Sequence, residues 1–150
     1  MTMNQAVYRE IIRELASIVG LADHFEKIYE SGNLTFKNVG LTIFFNEQAG
    51  SSVNVYVDFG AHPEEKSLAV FRRLLEINLL VSSPGSPRLG LDPQTGRVIF
   101  VYAHALEGLT AQRLLGSIDV AVGQAAAWRE TFYLDEPGTR DADLRHALQV

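Results

Sequence analysis

The side chains that most often perform chemistry in proteins are few in this sequence, and they are widely spaced. The histidines are His24, His62, His104 and His146, and there is no cysteine. No two histidines have the short spacing that brings a pair of metal ligands to one side of a helix or strand. We therefore expect no metal, no disulfide and no thiolate nucleophile.

The hydroxyl and glycine patterns do not match known catalytic or phosphate-binding motifs. Serine pairs at 51–52 and 82–83 lie in turn-forming segments, without a Gly-x-Ser-x-Gly elbow around either pair. Gly85, Gly90 and Gly96 are not followed by the Lys-Ser/Thr pair of a phosphate loop, so we interpret them as turn residues. The sequence predicts no catalytic residue and no cofactor, although catalytic groups can also converge from distant segments.

The composition and charge of the chain indicate which kinds of partner are not expected. The 150 residues are 47% hydrophobic and 21% charged with a formal net charge of −5, which is typical of one soluble globular domain. Arg72-Arg73 is the only adjacent basic pair, so a broad nucleic-acid surface is not expected. No apolar run reaches the roughly 18 residues of a membrane span, and charged residues between 9 and 14 interrupt any signal-peptide pattern. We expect a cytoplasmic protein with no membrane insertion.

The hydrophobic periodicity predicts which elements position these residues. A period of three to four predicts helices over 4–19, from Pro63 to Leu80, and from Thr110 to Phe132. A period of two predicts three strands between 33 and 59 and two more over 88–92 and 97–103. Residues 21–32 are interpreted as a connection with a short helical turn. The order helix, three strands, helix, two strands, helix predicts an α+β domain with an antiparallel sheet packed by helices.

Two adjacent segments resemble one known family. Residues 71–80 (FRRLLEINLL) and 89–98 (LGLDPQTGRV) flank a Gly/Ser/Pro loop. They resemble the LLxxNLL helix and the following LGLDPxTGxV strand of the class I type III secretion chaperones, the CesT-like (Tir chaperone) family. A late helix ending near Trp128 also fits, and the similarity covers roughly 7–132. We assign a CesT-like chaperone domain to 1–134 and a polar C-terminal tail, for which disorder is one expectation, to 135–150.

The resemblance implies a homodimer that binds the N-terminal segment of a secreted bacterial effector in extended form. It implies that the effector stays soluble and export-competent, without ATP, metal or catalysis. The implied partners are a second copy of the chain, one or a few effectors, and the export apparatus. A small dimeric α+β ligand-binding domain or enzyme with a site at the subunit interface is the alternative. An adaptor outside secretion would keep the same fold.

Candidate effector contacts lie on the first helix and on the three-stranded part of the sheet. An extended peptide can add to a sheet edge and place apolar side chains in neighbouring grooves. Aromatic residues on the sheet face opposite the inferred core would suit this role, although they could equally cover the sheet beneath a helix or loop. The candidates are Ile11, Leu15, Phe36, Phe44 and Tyr56.

Candidate dimer contacts lie on the second long helix and the last strand. From Leu74 onward this helix is apolar on more than one side, and a single core contact does not require that. Apolar surface on several sides favours an interface, whereas the alternative is that both elements are wholly core. The candidates are Leu74, Ile77 and Leu80 on the helix, with Val98, Phe100 and Tyr102 on the strand.

Overall fold

Helices and strands follow one another in the predicted α+β order. The structure is a computed structural model and describes residues 1–48, 50–83, 86–134 and 145–149. The first half contains α1 (Met3–Ile18), α2 (Phe25–Ser31), β1 (Asn33–Phe36), β2 (Val39–Asn46) and β3 (Ser52–Gly60). The second half contains α3 (Ser67–Leu80), β4 (Arg88–Leu91), β5 (Val98–Ala105) and α4 (Ala111–Thr131).

One segment differs from the prediction. Residues 21–32, interpreted as a connection with a short helical turn, form a single turn over Ala22–His24 and then the longer, seven-residue helix α2. Phe25 and Ile28 bury one side of this helix, and Gly32 ends it with a positive φ of 73°. Two apolar anchors in so short a segment do not establish a helical period, which is why the sequence pattern did not reveal the helix.

The sheet is antiparallel throughout, with strands in the order β1-β2-β3-β5-β4. The β1–β2 hairpin closes through Lys37 and Asn38, whose φ angles of 50° and 65° are those of a two-residue type I′ turn. The short strands β1 and β4 form the two edges of this order, while the strongly apolar β5 is internal.

Helices α1 and α4 pack on one face of the sheet. Alternate residues of β3, from Val53 to Phe59, point into this core and are fully buried. Trp128 on α4 lies against Phe59, with ring centroids 5.9 Å apart, and it is fully buried. Thr2 and Gln5 form a capping box at the start of α1, and Thr110 caps α4.

The last turn of α4 fixes the end of β3. The Arg129 guanidinium donates hydrogen bonds to the carbonyl oxygens of Phe59 (2.6 Å), Asp58 (2.8 Å) and Asn38 (3.2 Å). At this point the register of β3 against β5 shifts between Asp58 and Gly60. Arg129 therefore satisfies carbonyl groups that the irregular pairing exposes and holds Asp58 in place.

The tail assigned to 135–150 lies largely outside the described residues. In its described part, 145–149, the Leu148 side chain is buried beside the end of α3 and the loop that follows it. Within the ranges the structure describes, no helix is long and apolar enough to cross a membrane.

Candidate functional site

The face of the sheet opposite α1 and α4 is open to solvent in the protomer. Thr42, Tyr56 and Val101 are neighbours in register across β2, β3 and β5, and all three point to this open face. Phe44 lies beside Tyr56 with ring centroids 5.3 Å apart, and both side chains are exposed. A sheet that used only one face for its own core would normally have polar residues here. The open face is therefore a candidate binding surface.

A groove of about 720 Å³ runs across this open face. Its floor is formed by Tyr56, Ile99 and Val101, and it extends from β1 across to β4. Gly40 on β2 and Gly90 on β4 line it, and a Cβ at either position would meet no atom within 4 Å. The two glycines keep space open that ordinary strand residues would fill, so the groove can accept apolar side chains from a partner.

The carboxylates at the groove are already engaged within the protein. The single N–H of Arg97 Nε is shared between the two carboxylate oxygens of Asp58, at 3.0 and 3.1 Å, and Arg97 Nη2 donates to Asp58 Oδ2 at 2.9 Å. The hydrogen bond to Asp58 raises the pKa of Arg97. The Asp92 carboxylate accepts a hydrogen bond from the backbone N–H of Gln94 at 2.9 Å. Both carboxylates are thus held in place by hydrogen bonds from within the protein.

The two edges of the sheet differ in access. At the β4 edge, the Asn78 side-chain amide of α3 donates to Leu89 C=O and accepts from Leu89 N–H, both at 2.8 Å. At the β1 edge, the hairpin pairing turns the backbone groups of Asn33 and Thr35 outward. Ser31 Oγ accepts the Asn33 N–H, and Thr35 faces solvent. The β1 edge is therefore the more accessible one for a further strand.

Helix α3 carries an exposed apolar stripe on its outer side. Leu68, Leu75 and Leu79 are 84%, 71% and 78% exposed. The charged residues Arg72 and Glu76 lie between them on the same side. We refer to these five residues as the α3 stripe. Such a row of exposed leucines on a well-formed helix is a candidate interaction surface.

A second apolar depression of about 480 Å³ lies between α1 and the start of α4. Met3, Val7 and Ile11 line it from α1, and Leu109 lines it from the segment before α4. Glu10 and Glu14 stand at its rim. It is smaller than the groove on the open face and lies on the opposite, helical side of the sheet.

His104 makes a hydrogen bond within the folded protein. His104 Nε2 lies 2.9 Å from Ser117 Oγ, which is also 3.0 Å from the Tyr102 hydroxyl. Burial, and then the nearby Arg113, lower the pKa of His104, while burial raises the pKa of Tyr102 to about 12. Ser117 donates to Leu114 C=O and is buried, so it is not placed to attack a substrate. Across the described ranges, no three His, Cys, Asp or Glu side chains cluster as metal ligands.

A sequence model of the Tir chaperone protein (CesT) family matches residues 10–129. The chain belongs to this family. The resemblance predicted from the two sequence motifs is thereby confirmed, and the chaperone function predicted with it is that of the family. No curated protein matches the sequence itself.

Solved structures share the CesT-family fold of this chain. A chain of the HopA1–SchA chaperone–effector complex matches with a TM-score of 0.62 and 19% identity, covering 87% of this chain and 99% of that one. A chain of the ExsC–ExsE complex matches with a TM-score of 0.60 and 18% identity, and the match covers 91% of this chain and 100% of that one. A chain from the structure of the Yersinia pestis type III secretion chaperone SycH with a fragment of YscM2 matches with a TM-score of 0.51 and 18% identity. This match covers 80% of this chain and 98% of that one. The predicted α+β class is confirmed.

The predicted effector contacts fall in different parts of this CesT-family chain. Phe44 and Tyr56 lie on the open face, and Tyr56 lines the groove. Phe36 shares the helix-covered side of β1 with Leu34 and is partly buried, because alternate residues of a strand point the same way. Ile11 and Leu15 are buried on the inner side of α1, where only Ile11 reaches the rim of the α1–α4 depression.

The predicted dimer contacts are mostly core residues of the protomer. Five of the six side chains are buried within a single chain, because the helix-covered face of the sheet and the inner side of α3 already enclose them. These five are Leu74, Ile77, Val98, Phe100 and Tyr102, and only Leu80 stays half-buried at the end of α3. This is the wholly core arrangement that the sequence left as the alternative.

Sequence reasoning missed the outer side of α3 and the two groove glycines. Leu68, Leu75 and Leu79 recur at helical spacing on the side opposite the buried Val70 and Ile77, so the signal was present in the pattern. Gly40 and Gly90 gave no such signal, because a strand glycine has the same appearance whether or not it leaves room for a ligand.

Proposed function

We propose that this CesT-family protein is a type III secretion chaperone that holds the N-terminal segment of an effector on the open face of its sheet. The observation that supports this most strongly is the groove floored by Tyr56, Ile99 and Val101 on a face without its own helical cover. A protein that binds no partner there gains nothing from exposed aromatic residues, whereas a segment that covers them removes apolar surface from water.

The backbone of the bound segment is proposed to add to the β1 edge. The outward backbone groups of Thr35 offer a donor and an acceptor to an extended chain. Every second side chain of an added strand would point to the open face, toward the β1 end of the groove, where Asn33 and Thr35 line it. The β4 edge is a poorer choice, because Asn78 already occupies the backbone groups of Leu89.

The α3 stripe is proposed to contact the same stripe of a second copy. In a two-fold symmetric interface, a residue contacts either the same residue of the other copy or a different one. In the second case the same contact occurs twice, once in each direction. An antiparallel crossing centred near Arg73 to Leu75 places Leu68 opposite Leu79 of the other copy. The same crossing places Arg72 opposite the other copy's Glu76, and this pairing occurs twice. The stripe is therefore self-complementary in both charge and apolar surface.

The remaining features of the proposal concern turnover, location and partners. The family and fold are those of a binding protein, and the carboxylates at the groove are engaged by Arg97 and by the backbone of the 92–94 turn. We infer that the protein binds and releases its partner without catalysis, acts in the bacterial cytoplasm, and passes its effector to the export apparatus. The net charge of −5 does not favour nucleic acid as a partner.

The proposal is tested by affinity isolation from the native bacterial host with matched variants. Tyr56 on the open face and Val120 on α4 have nearly equal exposed fractions, 42% and 43%. Tyr56→Arg places a charge on the groove floor, whereas Val120→Arg changes a surface away from it. We expect wild type and Val120→Arg to retain the same secreted protein, and Tyr56→Arg to lose it.

Deletion of the N-terminal region of the retained protein should abolish its capture. Capture that survives this deletion, or that both substitutions weaken equally, would contradict the proposed site. Circular dichroism of the purified variants verifies that each one is folded.

A further inference from the structure

The Asn78 side chain joins two surfaces that the proposed function uses. Its amide makes two hydrogen bonds of 2.8 Å to the backbone of Leu89, so it takes the place that a neighbouring strand would have. Asn78 lies near the C-terminal end of α3, directly before Leu79 and one turn after Leu75, both of the α3 stripe. Leu89 lies at the centre of β4, directly before Gly90 and Leu91, which line the groove.

The short length of β4 makes this connection important. β4 has only four residues and pairs on its inner side with β5, where Leu89 is opposite Phe100. In an antiparallel strand the N–H and C=O of one residue point to the same side, and those of Leu89 point away from β5 toward α3. Among the described residues, Asn78 of the helix that carries the α3 stripe is the side chain that hydrogen-bonds the outward backbone groups of Leu89 in the groove wall.

We propose that Asn78 is a positioning residue that couples dimerisation through α3 to the order of the groove wall at β4. This inference rests on the proposed function, because it uses both the α3 dimer and the groove. A second copy packed on Leu75 and Leu79 restrains the last turn of α3. Asn78 transmits that restraint to Leu89, and β4 then presents Gly90 and Leu91 in one fixed position. The assembled dimer is thus the form with a fully ordered groove.

The experiment is backbone hydrogen exchange of the full chain at two concentrations, one above and one below the dimer dissociation constant. It needs no knowledge of the effector, because the probes are the amides of Leu89 and Gly90 themselves. In the wild type we expect dilution to speed their exchange about two- to tenfold, the range that corresponds to one hydrogen bond of ordinary strength. Leu75→Glu, which places a charge in the α3 stripe, should exchange like the diluted wild type at every concentration.

Two substitutions at Asn78 separate coupling from a merely structural role. Asn78→Ala removes both hydrogen bonds, so the β4 amides should exchange fast and equally in monomer and dimer. Asn78→Asp keeps an acceptor for Leu89 N–H but loses the donor, so an intermediate dependence on concentration is expected. Asn4→Ala removes another hydrogen-bonded asparagine, on α1, and should keep the wild-type dependence. Circular dichroism and sedimentation establish that each variant is folded and report its mass.

The outcomes distinguish a failure of the Asn78 coupling from a failure of the proposed α3 dimer. A wild-type dimer whose β4 exchange does not change on dilution overturns the coupling and leaves the dimer standing. A dimeric Asn78→Ala variant that keeps the full concentration dependence overturns the role of Asn78. A wild type that stays monomeric at all concentrations overturns both the coupling and the proposed α3 dimer, and its measured mass identifies that case.

Discussion

Substituting a leucine of the α3 stripe should weaken the dimer strongly and leave the protomer almost unchanged. Leu75 is 71% exposed in the protomer, so in the proposed α3 dimer most of its side chain becomes buried on association. Full burial of a leucine is worth about 1.5–3 kcal/mol, which gives about 1–2 kcal/mol for this side chain. A two-fold symmetric dimer contains two copies of residue 75, so Leu75→Ala should weaken dimerisation by about 2–4 kcal/mol.

At about 1.4 kcal/mol per tenfold change, this cost raises the dimer dissociation constant roughly 30- to 700-fold. Analytical ultracentrifugation across a dilution series measures that constant directly. The free energy of unfolding of the monomer, measured by urea denaturation, should change by less than about 0.5 kcal/mol, because an exposed side chain away from a special structural feature contributes little. Val120→Ala, on the outer side of α4, serves as the control and should leave the dimer constant unchanged.

The reasoning fails if Leu75→Ala shifts the dissociation constant less than about threefold in a protein that does dimerise. That result would mean that the second copy packs elsewhere and that the α3 stripe is covered by another partner. A large loss of monomer stability would also contradict the structure, because it would require Leu75 to be packed inside the protomer.

Three further substitutions test the fold around the site. Gly32→Ala should destabilise far more than Gly20→Ala in urea unfolding, because both have positive φ but only at Gly32 would a Cβ collide with the backbone carbonyl of Ile43. Burial lowers the pKa of His104, so its contribution to stability is complete above its ordinary pKa of 6.5 and is lost as pH falls toward the folded value. His104→Gln should therefore lose less unfolding free energy than wild type between pH 7.5 and 5.5. Thr110→Ala should lower the free energy of unfolding by about 1 kcal/mol, because it removes the cap of α4.

Element types were predictable from the sequence, because long segments with one dominant period specify them. Alternation from Val53 to Phe59 identified β3 and its buried side, and the leucine spacing identified α3. The segment 21–32 was not predictable in the same way. Its helix depends on two anchors, Phe25 and Ile28, whose burial against neighbouring elements is a tertiary effect.

Residues of the candidate site were predictable only where the alternation of side chains along a strand decides which face of the sheet a residue occupies. Tyr56 and Phe44 were assigned to the open face because they alternate with buried valines and isoleucine, and they lie there. Phe36 lies on the helix-covered side, because it is two residues after the buried Leu34 and alternate residues of a strand point the same way. A strand of only four residues gives too short a pattern to show this in the sequence. For α3, the sequence indicated apolar surface on more than one side but not which side the core would occupy. That choice depends on packing against β4 and the rest of the core, which buries Leu74, predicted as a dimer contact, and leaves Leu75 exposed.

The arrangement also explains how the protomer can leave so much apolar surface uncovered. The core on the helical side, with Trp128, Phe59 and Phe100 fully buried or nearly so, does not use the open face or the outer side of α3. Folding of the protomer therefore does not depend on those two surfaces, which remain free to associate. The tendency to aggregate that such surfaces create is opposed by a net charge of −5 and by two edge strands of only four residues. A chaperone whose own core was built on its binding groove would lose stability whenever its effector left, and the proposed use of the open face separates these roles.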